Sequence, residues 1–248
     1  MTPAVILVHG LRTSSTMWRH QREVLEARGI HVIAVDLPGH GRRMDERFTL
    51  GAAMQTIGDA VADATAATGT PPYLVGFSLG GYLSIDWAAR HPGAICGLLA
   101  ASCGTVPHRI VIGGWRLLAK GIHRLPDRGR WLNDTALRSL VPSPGADDVL
   151  AGGVALEVMD DVLVDLLRVD PVTSLAKIEM PVLFVNGQFD HIRWHAARYL
   201  AAVADGRLVT IPGASHMVSA AKPEAFTREL LRGLADAAGR AAPESIAD

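Results

Sequence analysis

Cysteine is scarce in this 248-residue sequence, which contains only Cys96 and Cys103. An extended chain between the two would separate their Cα atoms by about 23 Å. A disulfide needs Cα atoms within about 7 Å of one another, so we expect two free thiols. There is no CxxC pair, and the ten histidines are scattered along the chain. The sequence therefore predicts no metal site and no cofactor.

Charge of one sign and long apolar runs are also lacking. The 24 basic and 25 acidic residues give a net charge of −1, and no basic stripe is long enough to follow a phosphate backbone, so we expect no nucleic-acid partner. No apolar run approaches the ~20 residues of a membrane-spanning helix, so we expect no membrane association. Residues 1–3 lead directly into a strand-like run without a signal-type segment, and we expect a cytoplasmic location.

Aromatic residues make up only 5% of the chain, but hydrophobic residues make up 49% and charged residues 20%. Such a composition is typical of a folded protein with a sizeable core rather than a disordered chain. The length fits one large α/β domain, or a core domain that carries an insertion.

Short apolar runs recur along the chain and are rich in Val, Ile and Leu, as expected of strands buried on both faces of a parallel sheet. Patterns with helical spacing alternate with these runs. The alternation predicts an α/β fold with a doubly wound parallel sheet of six strands and helices on both faces. The predicted strands are residues 4–8, 31–35, 72–75, 94–101, 181–185 and 207–211.

The segment 104–172 interrupts this alternation. It contains helix-like patterns around 110–124, 130–140 and 146–169 and no convincing strand. We interpret it as a helical cap inserted into a core formed by residues 1–103 and 173–248. Basic residues dominate its first half and acidic residues its second, and we expect the two halves to face each other or solvent. Its apolar residues, which include Trp115, Leu117, Leu118, Trp131, Val158 and Met159, are expected to pack on the core or line a pocket.

The sequence GFSLGG at residues 76–81 joins a predicted strand to a predicted helix. A serine at such a joint lies on a very tight turn, and the glycines on either side lack the Cβ atoms that would clash there. The turn places the Ser78 hydroxyl at the N-terminus of the helix, where developing negative charge is favoured. Ser78 is therefore a candidate nucleophile.

A serine hydroxyl needs a base, and the base works best when a carboxylate orients it. Asp190 and His216 each follow a predicted strand, at the sheet edge where the sites of parallel α/β proteins gather. Asp36 is the rival carboxylate. The order Ser78, Asp190, His216 along the chain is that of an α/β-hydrolase triad.

Five motifs together resemble the α/β-hydrolase fold over nearly the full length of the chain. They are His9-Gly10, DLPGHG at 36–41, GFSLGG at 76–81, GQFD at 187–190 and PGASH at 212–216. The resemblance implies catalytic roles for Ser78, Asp190 and His216, and an oxyanion hole formed by the backbone N–H groups of Leu11 and Leu79. It implies structural roles for His9 and for the Asp36 loop. Many members begin with a β-hairpin that this chain lacks, which agrees with six parallel strands.

The sequence defines the residues that contact the substrate less sharply than it defines the triad. Arg12 follows the oxyanion residue and either holds a substrate carboxylate or is solvated, the latter being the preferred interpretation. His191 lines the pocket or covers it, and Met217 stands where the related hydroxynitrile lyases carry a lysine. The full set of candidate substrate-binding residues is Arg12, Trp18, Phe77, Trp115, Trp131, His191 and Met217.

These features favour a serine hydrolase that cleaves a carboxylic ester, thioester or lactone of a small to medium, largely apolar molecule. Two alternatives remain. The first is cleavage of a C–C bond, or a lyase or cyclase step, on a ketone-bearing metabolite. The second is a non-catalytic receptor that binds a ligand on the same fold. For the serine hydrolase and for the C–C cleaving alternative, the expected partner is a small-molecule substrate. The protein is expected to be a monomer or a homodimer.

Overall fold

The computed structural model describes residues 2–241 of the chain, so the predicted core segment 173–248 is described as far as residue 241. All six strands lie in one parallel sheet with the order β2-β1-β3-β4-β5-β6. This confirms the predicted fold class. The strands are β1 Val5–Val8, β2 Val32–Val35, β3 Tyr73–Phe77, β4 Gly97–Ala101, β5 Val182–Gly187 and β6 Gly206–Ile211.

Eleven α-helices are assigned within residues 2–241, and short 3-10 turns precede α1 and follow β2. The helices are α1 Arg19–Glu26, α2 Leu50–Thr68, α3 Leu79–Arg90, α4 Arg109–Ile122, α5 Arg130–Leu140, α6 Gly145–Ala151, α7 Met159–Leu166, α8 Pro171–Leu175, α9 Ala196–Ala202, α10 Val218–Ala221 and α11 Pro223–Ala241.

The core has two layers, one on each face of the sheet. Alternate residues of the strands supply both layers, so that Ile6 and Leu74 face α2 and α3 while Leu7 and Val75 face α1 and α11. All the residues of β1 and β3 are buried, which explains why these strands are continuous apolar runs rather than alternating ones.

Several predicted boundaries were wrong for local reasons. The fourth strand begins at Gly97 rather than 94, because a turn at Gly93, where φ is +77°, returns the Ala94 N–H to His91. The helix predicted over 146–169 is divided into α6 and α7. Gly152 and Gly153 separate them, and glycine is a poor residue for a helix interior.

The chain between β4 and β5 contains α4 to α8, and none of its residues belongs to the sheet. Its basic and acidic parts do pair across one another, as predicted. The pairs are Arg116–Asp160, Arg128–Glu157 and Arg138–Asp147. Exposed ion pairs of this kind contribute at most about 1 kcal/mol each.

Parts of α4 and α5 turn apolar side chains to the outside, in contrast to the expectation for these residues. Leu117 is 74% exposed, Trp131 71% and Leu118 53%. No helix within residues 2–241 combines the length and the apolar character needed to cross a bilayer.

Candidate active site

The serine turn is built as the GFSLGG sequence predicts. Ser78 follows β3 directly and has φ +50° and ψ −113°, an uncommon conformation for a residue with a side chain. A Cβ on Gly76 would overlap the Gly80 carbonyl, and a Cβ on Gly80 would overlap the carbonyl oxygen of Val8. Both glycines are therefore required by close backbone approach, and the Ser78 side chain projects from the end of the central strand.

The loop after β1 lies beside this serine, because Val8 and Gly76 are partners in the sheet register. A Cβ on Gly10 would lie 3.2 Å from the Ser78 Cβ. Leu11 and Leu79 line the same cavity as Ser78. Within residues 2–241, neither of their backbone N–H groups has a hydrogen-bond acceptor. Two free donors next to a serine hydroxyl form an arrangement that can bind a developing oxyanion.

A hydrogen-bonded chain joins Ser78, His216 and Asp190. His216 Nε2 lies 3.1 Å from Ser78 Oγ, and His216 Nδ1 lies 2.9 Å from Asp190 Oδ1. The Asp190 carboxylate accepts the Nδ1 proton, which leaves Nε2 as the nitrogen that can take a proton from the hydroxyl. The structure thus brings together all three residues that the sequence selected as a triad.

The carboxyl group of Asp190 is buried, yet its pKa lies below the ordinary value. Burial acts to raise the pKa of its carboxyl, yet the hydrogen bond to His216, the charge of that imidazole and the Ile192 N–H at 2.8 Å together lower it below the ordinary value. An ionised carboxylate at this position stabilises a positive charge on His216.

Ser102 is a supporting residue that sequence reasoning did not find. It is fully buried, follows β4 and has φ +52°. Its hydroxyl donates a 2.9 Å hydrogen bond to the backbone carbonyl of His216. The bond ties the end of β4 to the histidine loop. No sequence pattern signals it, because the two residues are separated by 114 positions.

The rival carboxylate Asp36 has a different task. Its Oδ1 accepts from the Ser15 N–H at 2.7 Å, and its Oδ2 accepts from the backbone and side chain of Arg42. His9 is equally occupied, since Nε2 accepts from the Leu37 N–H at 2.9 Å and Nδ1 donates to the Gly10 carbonyl. Both residues hold loops in place, in agreement with the structural roles predicted for them.

A cavity of about 360 Å³ opens above Ser78 and His216. Its walls come mainly from the segment between β4 and β5 and are mostly apolar. This volume lies at the small end of the range for ligand pockets. Representative wall residues are Val106, Ile112 and Trp115, and on the opposite side Met159, Leu163 and Leu166.

Three of the predicted substrate-contact residues line this cavity, namely Arg12, Trp115 and His191. The His191 ring lies 5.0 Å from the His216 ring and 6.0 Å from that of Trp115. Burial lowers the pKa of His191, and the neighbouring His216 lowers it further. His191 is therefore a polar wall of the pocket, close to the reacting groups.

The other four residues predicted as substrate contacts do not line this cavity. Trp18 is fully buried against Phe226, on the face of the sheet that α1 and α11 cover. Phe77 is buried beneath the His216 ring, 5.2 Å away between centroids. Met217 packs into the same core layer, and Trp131 projects from α5 into solvent. The pocket instead uses residues of α7, whose helical pattern does not reveal which face is turned to Ser78.

Within the part of the chain that is described, only Asp190, His191 and His216 bring three potential metal-binding groups within 4.8 Å. Both nitrogens of His216 already take part in the hydrogen-bonded chain. His195, four residues after His191, accepts from the Val106 N–H instead. A cation at this cluster would have to compete with the chain for its ligands.

Known proteins resemble this chain over most of its length. The family model described as "Alpha/beta hydrolase family" matches residues 5–229. The chain is 30% identical over 250 residues to a pimeloyl-[acyl-carrier protein] methyl ester esterase of Neisseria meningitidis serogroup C, covering 93% of this chain and 94% of that protein. An esterase of the same name from Chromobacterium violaceum is 29% identical over 257 residues, with 94% of each chain covered.

Among solved structures, a thermophilic esterase from Thermogutta terrifontis superposes with a TM-score of 0.77 at 22% identity, covering 95% of this chain and 90% of that one. At this level of identity the superposition shows a shared fold. The match of the family model over residues 5–229, with the 30% identity to the N. meningitidis esterase, shows that the chain belongs to the α/β-hydrolase family of enzymes.

Proposed function

We propose that the protein is a serine hydrolase that cleaves a carboxylic ester, thioester or lactone through an acyl-enzyme. The observation that carries the proposal is the continuous hydrogen-bonded chain from Ser78 Oγ through His216 to Asp190. The esterases of N. meningitidis and C. violaceum support ester cleavage, since they match nearly the whole chain.

In the first half of the reaction, Ser78 Oγ attacks the carbonyl carbon while His216 Nε2 takes the hydroxyl proton. Negative charge develops on the carbonyl oxygen, where the N–H groups of Leu11 and Leu79 stabilise it. The tetrahedral intermediate collapses, and His216 returns the proton to the leaving alcohol or thiol. Water then attacks the acyl-enzyme, again with His216 as base, and releases the acid and Ser78.

We propose further that residues 104–172 act as a cap that supplies the substrate pocket. Residues of α4 and α7 supply much of the apolar wall of the cavity. A cavity of about 360 Å³ favours a small to medium acyl chain or ring.

A fluorophosphonate probe tests the nucleophile directly. We expect a single covalent adduct by intact mass, located on Ser78 by peptide mapping. Ser78→Ala should remain folded, take up no probe and hydrolyse a short-chain p-nitrophenyl ester at least about 10⁴-fold more slowly, since a triad acts as a unit. Retention of a tenth of the activity would contradict the serine mechanism.

The same experiments separate the alternatives. A receptor that has kept the fold would give no burst of p-nitrophenol. A C–C hydrolase would turn over a panel of β-diketones faster than esters of matched size, and its activity would also depend on Ser78.

A further inference from the structure

Arg12 has a backbone conformation that is unusual for its side chain. It follows the oxyanion residue Leu11, and its φ is +65°, in the left-handed region that favours glycine. The turn brings its side chain to the wall of the cavity, between the serine loop and α7. A strained residue at a pocket wall is a reason to look for a function.

Among residues 2–241, no carboxylate contacts the Arg12 guanidinium. Its Nη2 lies 2.7 Å from Met159 Sδ, and a thioether sulfur is only a weak acceptor. Its Nε is buried and, within residues 2–241, has no hydrogen-bond partner. Burial lowers the pKa of this group, yet a guanidinium remains protonated in proteins. Arg12 is only half-buried as a residue, but removing part of a cation from water without a partner is still costly, and such charges are normally paired.

The acids nearest in sequence to Met159 are already paired with other cations. Glu157 pairs with Arg128, Asp160 pairs with Arg116 at 2.7 Å, and Asp161 pairs with Arg47 at 3.1 Å. The protein thus holds a positive charge at an apolar pocket while directing the neighbouring negative charges outward.

His123 is a second polar group, and it is near enough to Arg12 for the guanidinium charge to affect its pKa. His123 directly follows α4, and its Nε2 is buried without a partner among the described residues. Burial lowers the pKa of His123, and the positive charges of Arg12 and Arg128 lower it further. The neutral ring can still donate one hydrogen bond.

We propose that Arg12 is a specificity-determining residue that binds a carboxylate carried by the substrate at a distance from the scissile carbonyl. The proposal rests on the proposed ester hydrolysis and narrows its substrate class to anionic esters, such as half-esters of dicarboxylic acids. The single positive charge of one guanidinium matches a singly charged carboxylate better than a phosphate dianion. The planar guanidinium can hold a carboxylate through two parallel hydrogen bonds.

The test compares monomethyl esters of linear dicarboxylic acids with their neutral monoamide counterparts of the same length. We expect the wild-type protein to prefer the anionic ester by about 10- to 100-fold in kcat/KM at the best chain length, because hydrogen bonds between ionised groups are stronger than those between neutral groups. The preference should fall to about one in Arg12→Gln and be partly kept in Arg12→Lys. Arg22→Gln is the matched control, since it removes an equal charge from exposed α1.

Acetate esters of ω-hydroxy acids, compared with their amides, place the carboxylate on the leaving group instead. A preference in either set supports the site and shows on which side of the ester it acts. No preference in both sets, or an equal preference in wild type and Arg12→Gln, would overturn the proposal.

Binding provides a readout that does not depend on turnover. Calorimetry with Ser78→Ala should detect the dicarboxylate product, and the added Arg12→Gln change should weaken its binding at least about tenfold. If esters are not hydrolysed but the dicarboxylate still binds through Arg12, ester hydrolysis fails and the anion site stands. If esters are hydrolysed without an Arg12-dependent preference or binding, ester hydrolysis stands and the anion site fails.

Discussion

The carboxylates Asp36 and Asp190 both follow strands, yet they have different hydrogen-bond partners. Asp36 holds a loop through the Ser15 N–H and Arg42, whereas Asp190 accepts the Nδ1 proton of His216. Both have a lowered pKa against the opposing effect of burial. At the scale of the residue, the direction of the pKa shift does not distinguish these two carboxylates, whereas their hydrogen-bond partners do.

Asp190→Asn tests this assignment. We expect a loss of about 10²- to 10⁴-fold in kcat/KM with little change in Tm, because the amide favours the wrong tautomer of His216. Asp36→Asn is the matched control, and it should lower Tm more than it lowers the activity of the folded protein. If Asp36→Asn abolishes the activity of a well-folded protein while Asp190→Asn does not, the acid is misassigned.

His9 makes the stability of the protein dependent on pH. Burial, with the charge of His40 in second place, lowers the pKa of His9 from 6.5 to about 3. Between these values the unfolded chain binds a proton that the folded protein does not, so the free energy of unfolding falls as the pH falls from about 6.5 towards 3. Protonation of His9 Nε2 would also replace the acceptor of the Leu37 N–H by a second donor, so this hydrogen bond would be lost.

Denaturant unfolding should therefore give a smaller free energy at about pH 5 than at about pH 7, and His9→Asn should reduce that difference. Equal values for the wild-type protein at the two pH values would contradict a buried neutral His9.

At the scale of the element, α4 and α5 show that consecutive helices, each with a tryptophan, can have different surroundings. Trp115 on α4 lines the pocket and is 39% exposed, whereas Trp131 on α5 is 71% exposed. No residue of α5 is buried, while Ile112 and Ala119 of α4 pack with Met159 and Leu163. Contact with α7 is what makes α4 part of the pocket.

Trp115→Ala should lower kcat/KM for a long-chain or ring ester more than for an acetyl ester, because only the larger substrate reaches that wall. Trp131→Ala is the matched control on α5 and should leave the ratio of the two values unchanged. If Trp115→Ala has the wild-type Tm and lowers kcat/KM equally for both esters, the result would contradict a role of Trp115 in binding the larger substrate.

At the scale of the whole molecule, the sheet is packed on both faces and its central strand carries the serine. Leu74 of β3 is fully buried in the layer beneath α2 and α3. The uncommon backbone conformation of Ser78 therefore directly follows a strand that is packed on both faces. Both cysteines are free, as the sequence predicted, with Cys103 buried just after β4.

Leu74→Ala should lower the free energy of unfolding by about 2–5 kcal/mol, because it removes buried methyl groups and leaves a cavity. Leu117→Ala is the matched control, since Leu117 is 74% exposed, and its effect should stay within about 0.5 kcal/mol. Denaturant unfolding measures both, and similar losses would contradict the burial difference.

The sequence by itself determined the fold class and the identity of the Ser78, His216 and Asp190 group. These depend on local features, namely apolar runs of strand length, glycines where the backbone must approach closely, and polar residues just past strand ends. In parallel sheets such ends meet at one edge, so local motifs were enough to predict a shared site.

Only the tertiary structure decided which side chains form the pocket and what Arg12 contacts. Trp18 and Trp131 looked suited to a pocket, but one is buried in the core and the other faces solvent. In the described part of the chain no acid pairs with Arg12, and Glu157, Asp160 and Asp161 pair instead with cations that are distant in sequence. Side-chain direction and charge pairing between distant helices are properties of packing, and no local pattern in the sequence encodes them.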